Sequence, residues 1–322
     1  MIRNNLASVN KTYIPIDKRV LTENTEVNFA VYQTNETKTQ MSVMLQSDSV
    51  IKSKDRLRLG EVERLYILED DSDDYEGFLE KHLKSIASNE NIPIEQRADI
   101  LYSKAASMME DIFLKPDDVT NLMTCENLAD GFMALIGDER VTISSIMKLA
   151  VFDYYTHTHS LNVFIYSILL GKFIKLSSGD LKKLAIASIL HDLGKSKIPS
   201  NITNKAGELT EREFYFMKAH AKYGHSCAIA MGINDEAILS GIKHHHEKMD
   251  GNGYPDGLKG RQISLFARII GFCDIFDSLT TKRSYKEKMS SYAALELMRN
   301  HMSTHIDVNL LKIFIKMMKL DY

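Results

Sequence analysis

The chain has 322 residues, enough for roughly two domains, with 44% hydrophobic and 26% charged residues, ordinary proportions for a soluble globular protein. Its net charge of −3 supplies no global basic field for nucleic acid or an anionic membrane, so an anionic substrate would need local help from metals, Lys or Arg. No run of about 18 apolar residues marks a transmembrane helix, the start MIRNNLASVNKTYIPI lacks a signal peptide's apolar core, and Cys125, Cys227 and Cys273 are too scattered for a disulfide framework or zinc ribbon. A cytoplasmic protein with buried apolar thiols is expected.

VNFAVYQT and QMSVMLQ are β-branched or aromatic-rich and predict strands, as does LYIL at 65–68. The acidic run EDDSDDYE reads as a solvated loop and favourable helix N-terminus in preference to a cation site, and EGFLEKHLKSIA as a helix. Helical spacing continues from about 94 to 150, punctuated by Pro93 and Pro116. The division expected is a small N-terminal α/β or β-rich domain at 1–82, a helical connector at 83–150, and a helical domain at 151–322.

In that last region DYYTHTHSLNVFIYSILLGKFIKL predicts one long helix and SSGDLKKLAIASILHDLGK a second, with Gly194 as its stop. Thr210 and Glu213 form a capping signature ahead of FYFMKAHAKYG. NDEAILSGIKHHHEK, SLFARIIGFCDIFDSLTT, SYAALELMRNHM and VNLLKIFIKMMKL follow, and the Gly-rich GNGYPDGLKG must be irregular. The fold class expected is mainly α, an all-helical bundle that aims ligands inward from several helices.

The chemistry centres on His191 and Asp192, in HDLGK, together with His159, His220, His244-His245-His246 and Asp274. Neutral imidazoles and carboxylates in this density suit two divalent cations held close together. Two metals bridged by a carboxylate can activate water and clamp a phosphate during in-line displacement. An isolated His-Asp pair would read as a satisfied core histidine, but that reading must also account for all the other ligand-type residues. Asp192 has two oxygens and can bridge, while Lys195, one turn on, can face a phosphate or the bridging water. Of His157 and His159, near Asp153, one is expected as a ligand and the other in solvent. His220 and His225 are spaced wrongly for one site, and His244, His245 and His246 cannot all converge from successive helix positions. Asp274 and Asp277 lie in an otherwise apolar helix, so at least one must be metal-bound or paired.

These residues resemble the HD-GYP family, a subgroup of the HD-domain metal-dependent phosphohydrolases. YTHTHSLNV, HDLGKSKIP, NKAGELT, MKAHAKYG, HHEKMDGNGYPDGL and ARIIGFCDIFDSLTTKRSYK match it in order, over roughly 150–320, and the HHExxDGxGYPxGL string is highly specific. The resemblance implies a buried cluster of two or three metals, usually iron or manganese, and hydrolysis of the bacterial second messenger cyclic di-GMP, with linear pGpG or GMP as the end product and a metal-bridging hydroxide as nucleophile. By position the metal ligands would be His159, His191, Asp192, His220, His245, His246 and Asp274. Asp192 would bridge, Lys195 would contact phosphate near the cluster, Arg283 and Lys286 would hold the cyclic dinucleotide, and Tyr254 would line the entrance. Gly251, Gly253 and Gly257 would let the loop turn tightly.

Asn162 stands where the family has Arg, Ala206 and Ser284 where it has Pro, and Tyr155 where three-metal members have Glu. The last favours two metals, with Asp153 and His157 as substitutes toward a third. The N-terminal region resembles the small mixed domains that precede some HD-GYP modules, which implies a sensory or interaction role. Expected partners are cyclic di-GMP and proteins docking through the Gly-Tyr-Pro loop or N-terminal domain, with no nucleic acid and no membrane; the connector leaves room for a homodimer. An inactive cyclic di-GMP receptor or docking regulator is the alternative to an enzyme. A nucleotide phosphohydrolase or di-iron oxygenase is a third reading, against which the Gly-Tyr-Pro string argues.

Overall fold

A computed structural model describes residues 2–3, 11–34, 40–138, 156–205, 207–281 and 289–319. The chain divides into two compact units, Met1–Pro93 and Ile94–Tyr322. Among the described residues no helix is long and apolar enough to cross a membrane.

The first unit is built on an antiparallel five-stranded sheet of β1 (Ile2–Arg3), β2 (Thr12–Ile16), β4 (Val31–Thr34), β5 (Met41–Leu45) and β7 (Leu65–Leu68), in the order β1-β2-β7-β4-β5. A two-stranded ribbon pairs β3 (Glu26–Val27) with β6 (Ser49–Val50), and the helices are α1 (Ser53–Glu61) and α2 (Ser72–Ala87). VNFAVYQT is two strands rather than one: the chain bends at Asn28 and Phe29, and the two halves join different sheets. The bend drives Phe29 fully into the core, where it meets Phe78 of α2 edge-on at 5.6 Å. The acidic run is itself helical from Ser72 onward. Asp73 and Asp74 occupy the first turn of α2, where carboxylates complement the helix dipole.

The second unit is helical, as the mainly α reading expects. Its elements are α3 (Ile94–Leu114), α4 (Thr120–Gly137), α5 (Thr156–Phe173), α6 (Ser178–Leu190), α7 (Ser200–Thr203), α8 (Glu211–Lys218), α9 (His220–Ala230), α10 (Glu236–His244), α11 (Leu265–Thr280), α12 (Ser291–His301) and α13 (Val308–Lys319). Every residue of α5 from Leu161 to Leu170 is buried, because α3, α6, α11 and α13 pack around it. That explains why the segment is apolar on all sides rather than striped. Tyr166, Phe276 and Phe314 meet edge-on beside it, ring centroids 4.9–6.4 Å apart. Each such buried aromatic contributes about 1.5–3 kcal/mol of transfer free energy.

Local chemistry sets the helix starts. Ser177, Asp235 and Ser264 cap α6, α10 and α11 by accepting backbone N–H bonds. Thr210 and Glu213 form the reciprocal capping box expected for α8. The ends fall earlier than the apolar pattern suggests. FYFMKAHAKYG is interrupted at Ala219, so His220 begins a new helix. α6 stops at Leu190, before Gly194, and residues Leu193–Lys197 form a 3-10 turn. Gly194 is therefore not the helix stop. Its role is close approach: a Cβ there would lie 1.9 Å from the carbonyl oxygen of His220.

Candidate metal centre

Five elements deliver the ligand-type side chains to one buried point. His159 comes from the first turns of α5, His191 and Asp192 from the end of α6, His220 from the first residue of α9, and Asp274 from the middle of α11. His245 and His246 follow α10, which ends at His244. The three consecutive histidines thus do not all occupy helix positions: two leave the helix and turn inward. His244 points elsewhere, with Nδ1 3.1 Å from Ser240 Oγ and Nε2 2.9 Å from Asp256 Oδ2.

Asp192 lies at the middle. Its Oδ2 is 3.6 Å from His159 Nε2 and 3.5 Å from His191 Nε2, and its Oδ1 is 3.4 Å from His220 Nε2 and 4.0 Å from His245 Nε2. Two sets of possible ligand atoms result, one from His159, His191 and Asp192, the other from Asp192, His220, His245 and His246. Asp192 belongs to both. Asp274 closes the ring, with Oδ1 3.1 Å from His159 Nε2 and Oδ2 3.8 Å from His246 Nδ1.

The imidazoles are oriented by the backbone. Nδ1 of His191, His220 and His245 donates to the carbonyl three residues earlier, those of Ser188, Met217 and Ile242, at 2.7, 2.6 and 2.7 Å. A carbonyl only accepts, so the proton sits on Nδ1 and each Nε2 presents a lone pair to the centre. Nδ1 of His159 donates to Asp277 Oδ2 at 2.6 Å, the carboxylate–histidine arrangement that raises ligand basicity. Lone pairs therefore face carboxylate oxygens that carry lone pairs of their own. Accordingly, His191 Nε2 and Asp192 Oδ1 are buried with no hydrogen-bond partner. Native proteins rarely leave such atoms orphaned, and a divalent cation satisfies both. The residues fit a His/carboxylate metal centre.

Protonation favours the same reading. Burial pulls His191, His220 and, furthest, His245 below the ordinary imidazole range, and pushes His246 down to about 3. All four are neutral near pH 7, as metal binding requires. Burial pushes the Asp192 carboxyl up, but the Lys195 ammonium and the surrounding imidazoles outweigh it and hold the group well below the carboxylate range. His159 is the exception: burial lowers it, but Asp274 and Asp277 outweigh burial and carry it up to about 10. Without metal, His159 bridges the two carboxylates with both nitrogens protonated, so loading the site releases a proton there.

Lys195 Nζ is 2.5 Å from Asp192 Oδ2, and its side chain is partly exposed. Tyr254 lays its ring over His246, with centroids 4.7 Å apart, on the exposed side of the cluster. Beyond His246 and Asp274 lies a cavity of about 350 Å³, walled also by Tyr254, Met249, Arg268 and Phe272. Arg283, Lys286, Ser284, Tyr155, Asp153 and Ala206 fall outside the described residues, as does the His157 side chain. His225 lies outside both ligand sets.

Three supporting residues were invisible as such in the sequence. Asp277 accepts from His159, from Asn162 Nδ2 at 3.0 Å and from Thr281 Oγ1 at 2.8 Å, so both Asp274 and Asp277 are engaged. Asn162, noted only as a family departure, holds that carboxylate. Glu247 accepts the backbone N–H groups of Asp256, Gly257 and Leu258 at 2.7, 3.0 and 3.0 Å, which folds the Gly-Tyr-Pro loop over its carboxylate. The HHExxDGxGYPxGL string contains Glu247 and its three partners, but nothing in it shows that the carboxylate meets their backbone N–H groups. Gly251 and Gly257 take positive φ, as a tight turn asks. Gly253 does not; it is needed because a Cβ would lie 2.3 Å from Lys248 N.

A family profile described as "HD domain" matches residues 148–310. The chain is similar to "Cyclic di-GMP phosphodiesterase PA4108" of Pseudomonas aeruginosa, 30% identical over 69% of this chain and 54% of that protein. It is also similar to "3'3'-cGAMP-specific phosphodiesterase 3" of Vibrio cholerae, 38% identical over 48% of this chain and 33% of that protein. The chain thus spans about half, or less, of the length of these curated relatives. A solved structure, "Bd1817, a HDG"Y"P protein from Bdellovibrio bacteriovorus", shares the fold: TM-score 0.65, 19% identity, 96% of this chain and 100% of that one.

Proposed function

This chain belongs to the HD domain family, in its HD-GYP group, and from that premise we propose that it is a metal-dependent phosphodiesterase that opens cyclic di-GMP to linear pGpG and onward to GMP. The observation that carries the reading is the pair of orphaned, buried acceptor atoms, His191 Nε2 and Asp192 Oδ1, inside a ring of oriented imidazoles. His159, His191 and Asp274 would hold one cation, and His220, His245 and His246 the other, with Asp192 shared by both. Two divalent ions there, iron or manganese, would supply Lewis acidity toward phosphoryl oxygens and a water of lowered pKa.

The protein groups do the rest. The Nδ1–H bonds to backbone and to Asp277 keep the imidazoles aimed inward without reorganisation. Lys195 neutralises Asp192 and is placed to meet a phosphoryl oxygen at the exposed edge of the cluster. Tyr254 covers one face of His246 and limits water there. Arg283 and Lys286 are proposed to hold the dinucleotide, and the N-terminal domain to receive a signal or partner. The name of the Vibrio cholerae relative favours 3'3'-cGAMP as a second substrate to weigh.

The test is to load the protein anaerobically with Fe²⁺ or Mn²⁺, add cyclic di-GMP or 3'3'-cGAMP, and separate products by chromatography. pGpG or GMP from cyclic di-GMP supports the proposal. Preference for 3'3'-cGAMP changes the substrate. Binding without turnover makes the chain a receptor, and neither binding nor turnover rejects the reading.

A further inference from the structure

Lys218 lies in the last turn of α8, four residues after Phe214 and on the same helical face. Its Nζ is 5.1 Å from the Phe214 ring centroid and 5.9 Å from that of Tyr254. The two rings stand edge to face, 6.3 Å apart. Tyr254 in turn lies over His246 and 6.3 Å from His220. One aromatic ring therefore separates this ammonium from two members of the metal cluster.

Three lysines near the site are paired: Lys195 with Asp192, Lys205 with Glu213, and Lys243 with Asp256. Among the described residues no carboxylate pairs with Lys218. Aromatic faces alone give an ammonium about 0.5–1 kcal/mol at exposed sites. Beside it Phe214 keeps 46% of its surface exposed. A cation without a counter-charge and an open aromatic face, both at the rim of a phosphodiester-cleaving cluster, form a receptor for one more nucleotide unit. The helix-end alternative, a lysine placed for the α8 dipole, accounts for Lys218 but not for Phe214 and Tyr254 converging beneath it.

Resting on the phosphodiesterase reading, we propose that Lys218 binds the second, unhydrolysed phosphate of the cyclic dinucleotide and that Phe214 stacks against its nucleobase. A cyclic dinucleotide carries two phosphodiesters; with one at the metals, the other must lie outside the cluster. In a chain of net charge −3 it needs local cations, and Lys218 would supply one in addition to the proposed Arg283 and Lys286. Base–aromatic stacking is sequence-tolerant, so this rim sets affinity for a two-phosphate ring rather than choice of base.

The experiment compares wild type, Lys218→Met, Lys218→Arg and Phe214→Ala, metal-loaded, on cyclic di-GMP and on bis(p-nitrophenyl) phosphate, a diester with one phosphate. Metal content is measured in each. Lys218→Met keeps the apolar stem and removes the charge. Its KM for cyclic di-GMP should rise at least about tenfold with kcat little changed, the loss should be confined to the substrate with a second phosphate, and Lys218→Arg should recover most of it. Phe214→Ala should raise the same KM. If wild type binds cyclic di-GMP without turnover, Kd replaces KM. An unchanged KM in Lys218→Met, an equal loss on both substrates, or a loss of metal overturns the assignment while the phosphodiesterase reading stands. Wild type that cleaves the simple diester but neither binds nor cleaves cyclic di-GMP overturns that reading, and this inference with it, before any variant is made.

Discussion

Replacing Asp277 by Asn should weaken metal binding although Asp277 is no member of either ligand set. The change is isosteric and lies at a fully buried position. The carboxylate accepts three hydrogen bonds, at 2.6 Å from His159, 3.0 Å from Asn162 and 2.8 Å from Thr281. An amide keeps one acceptor and gains a donor. With its oxygen toward His159, its NH₂ faces the Asn162 amide donor. With its NH₂ toward His159, the imidazole must move its proton to Nε2, the atom needed for metal. Either way a charge-assisted bond worth about 1.5–3 kcal/mol is lost or its cost transferred. Supporting carboxylates of this kind change metal affinity by about 10–100-fold. Chelator competition at pH 7.5 on metal-stripped protein measures it, with circular dichroism to establish that the variant folds. A folded Asp277→Asn protein whose affinity stays within about twofold of wild type would refute the claim that Asp277 sets the His159 tautomer.

Gly194→Ala should cost about 3 kcal/mol or more and strip metal, because the new methyl would lie 1.9 Å from His220 O and 2.4 Å from Gly224 N, both backbone atoms that move only with α9; thermal melts and elemental analysis check both effects, and a wild-type melting temperature contradicts it. Glu247→Gln puts an amide donor against at least one of three loop N–H groups; a stability loss of about 2 kcal/mol and a raised KM with metal retained are expected from denaturant titration and kinetics. Metal-stripped protein should lose stability as pH falls from 7.5 to 5.5. Burial holds His191, His220, His245 and His246 below their unfolded value, so the unfolded chain takes up protons that the folded chain refuses. His159, raised to about 10, opposes with a single site. The net slope should exceed about 1 kcal/mol per pH unit near pH 6, and urea midpoints that stay flat or rise on acidification would contradict it.

The helices of the second unit and the types of residue gathered at the candidate site were legible in the sequence because they depend on local features. Apolar periodicity, the Thr210–Glu213 box and the density of His and Asp all lie within short windows. What escaped depends on distant partners. Nothing around Gly194 indicates that α9 passes within contact of it, so the residue read as a helix stop. The partners of Glu247 are backbone N–H groups about ten residues on, which carry no residue identity. Asp277 and Asn162 meet across 115 residues, and only packing of α5 against α11 brings them together. Likewise VNFAVYQT has continuous strand propensity, and the demand to bury Phe29 breaks it in two.

The most direct measurement pairs metal content with turnover in wild type and Asp192→Ala. Wild type should carry about two divalent ions per chain and convert cyclic di-GMP to pGpG, whereas a folded Asp192→Ala protein should lose both together, because the carboxylate common to both ligand sets is gone. Full metal occupancy or undiminished hydrolysis in Asp192→Ala would contradict a binuclear centre built on that residue.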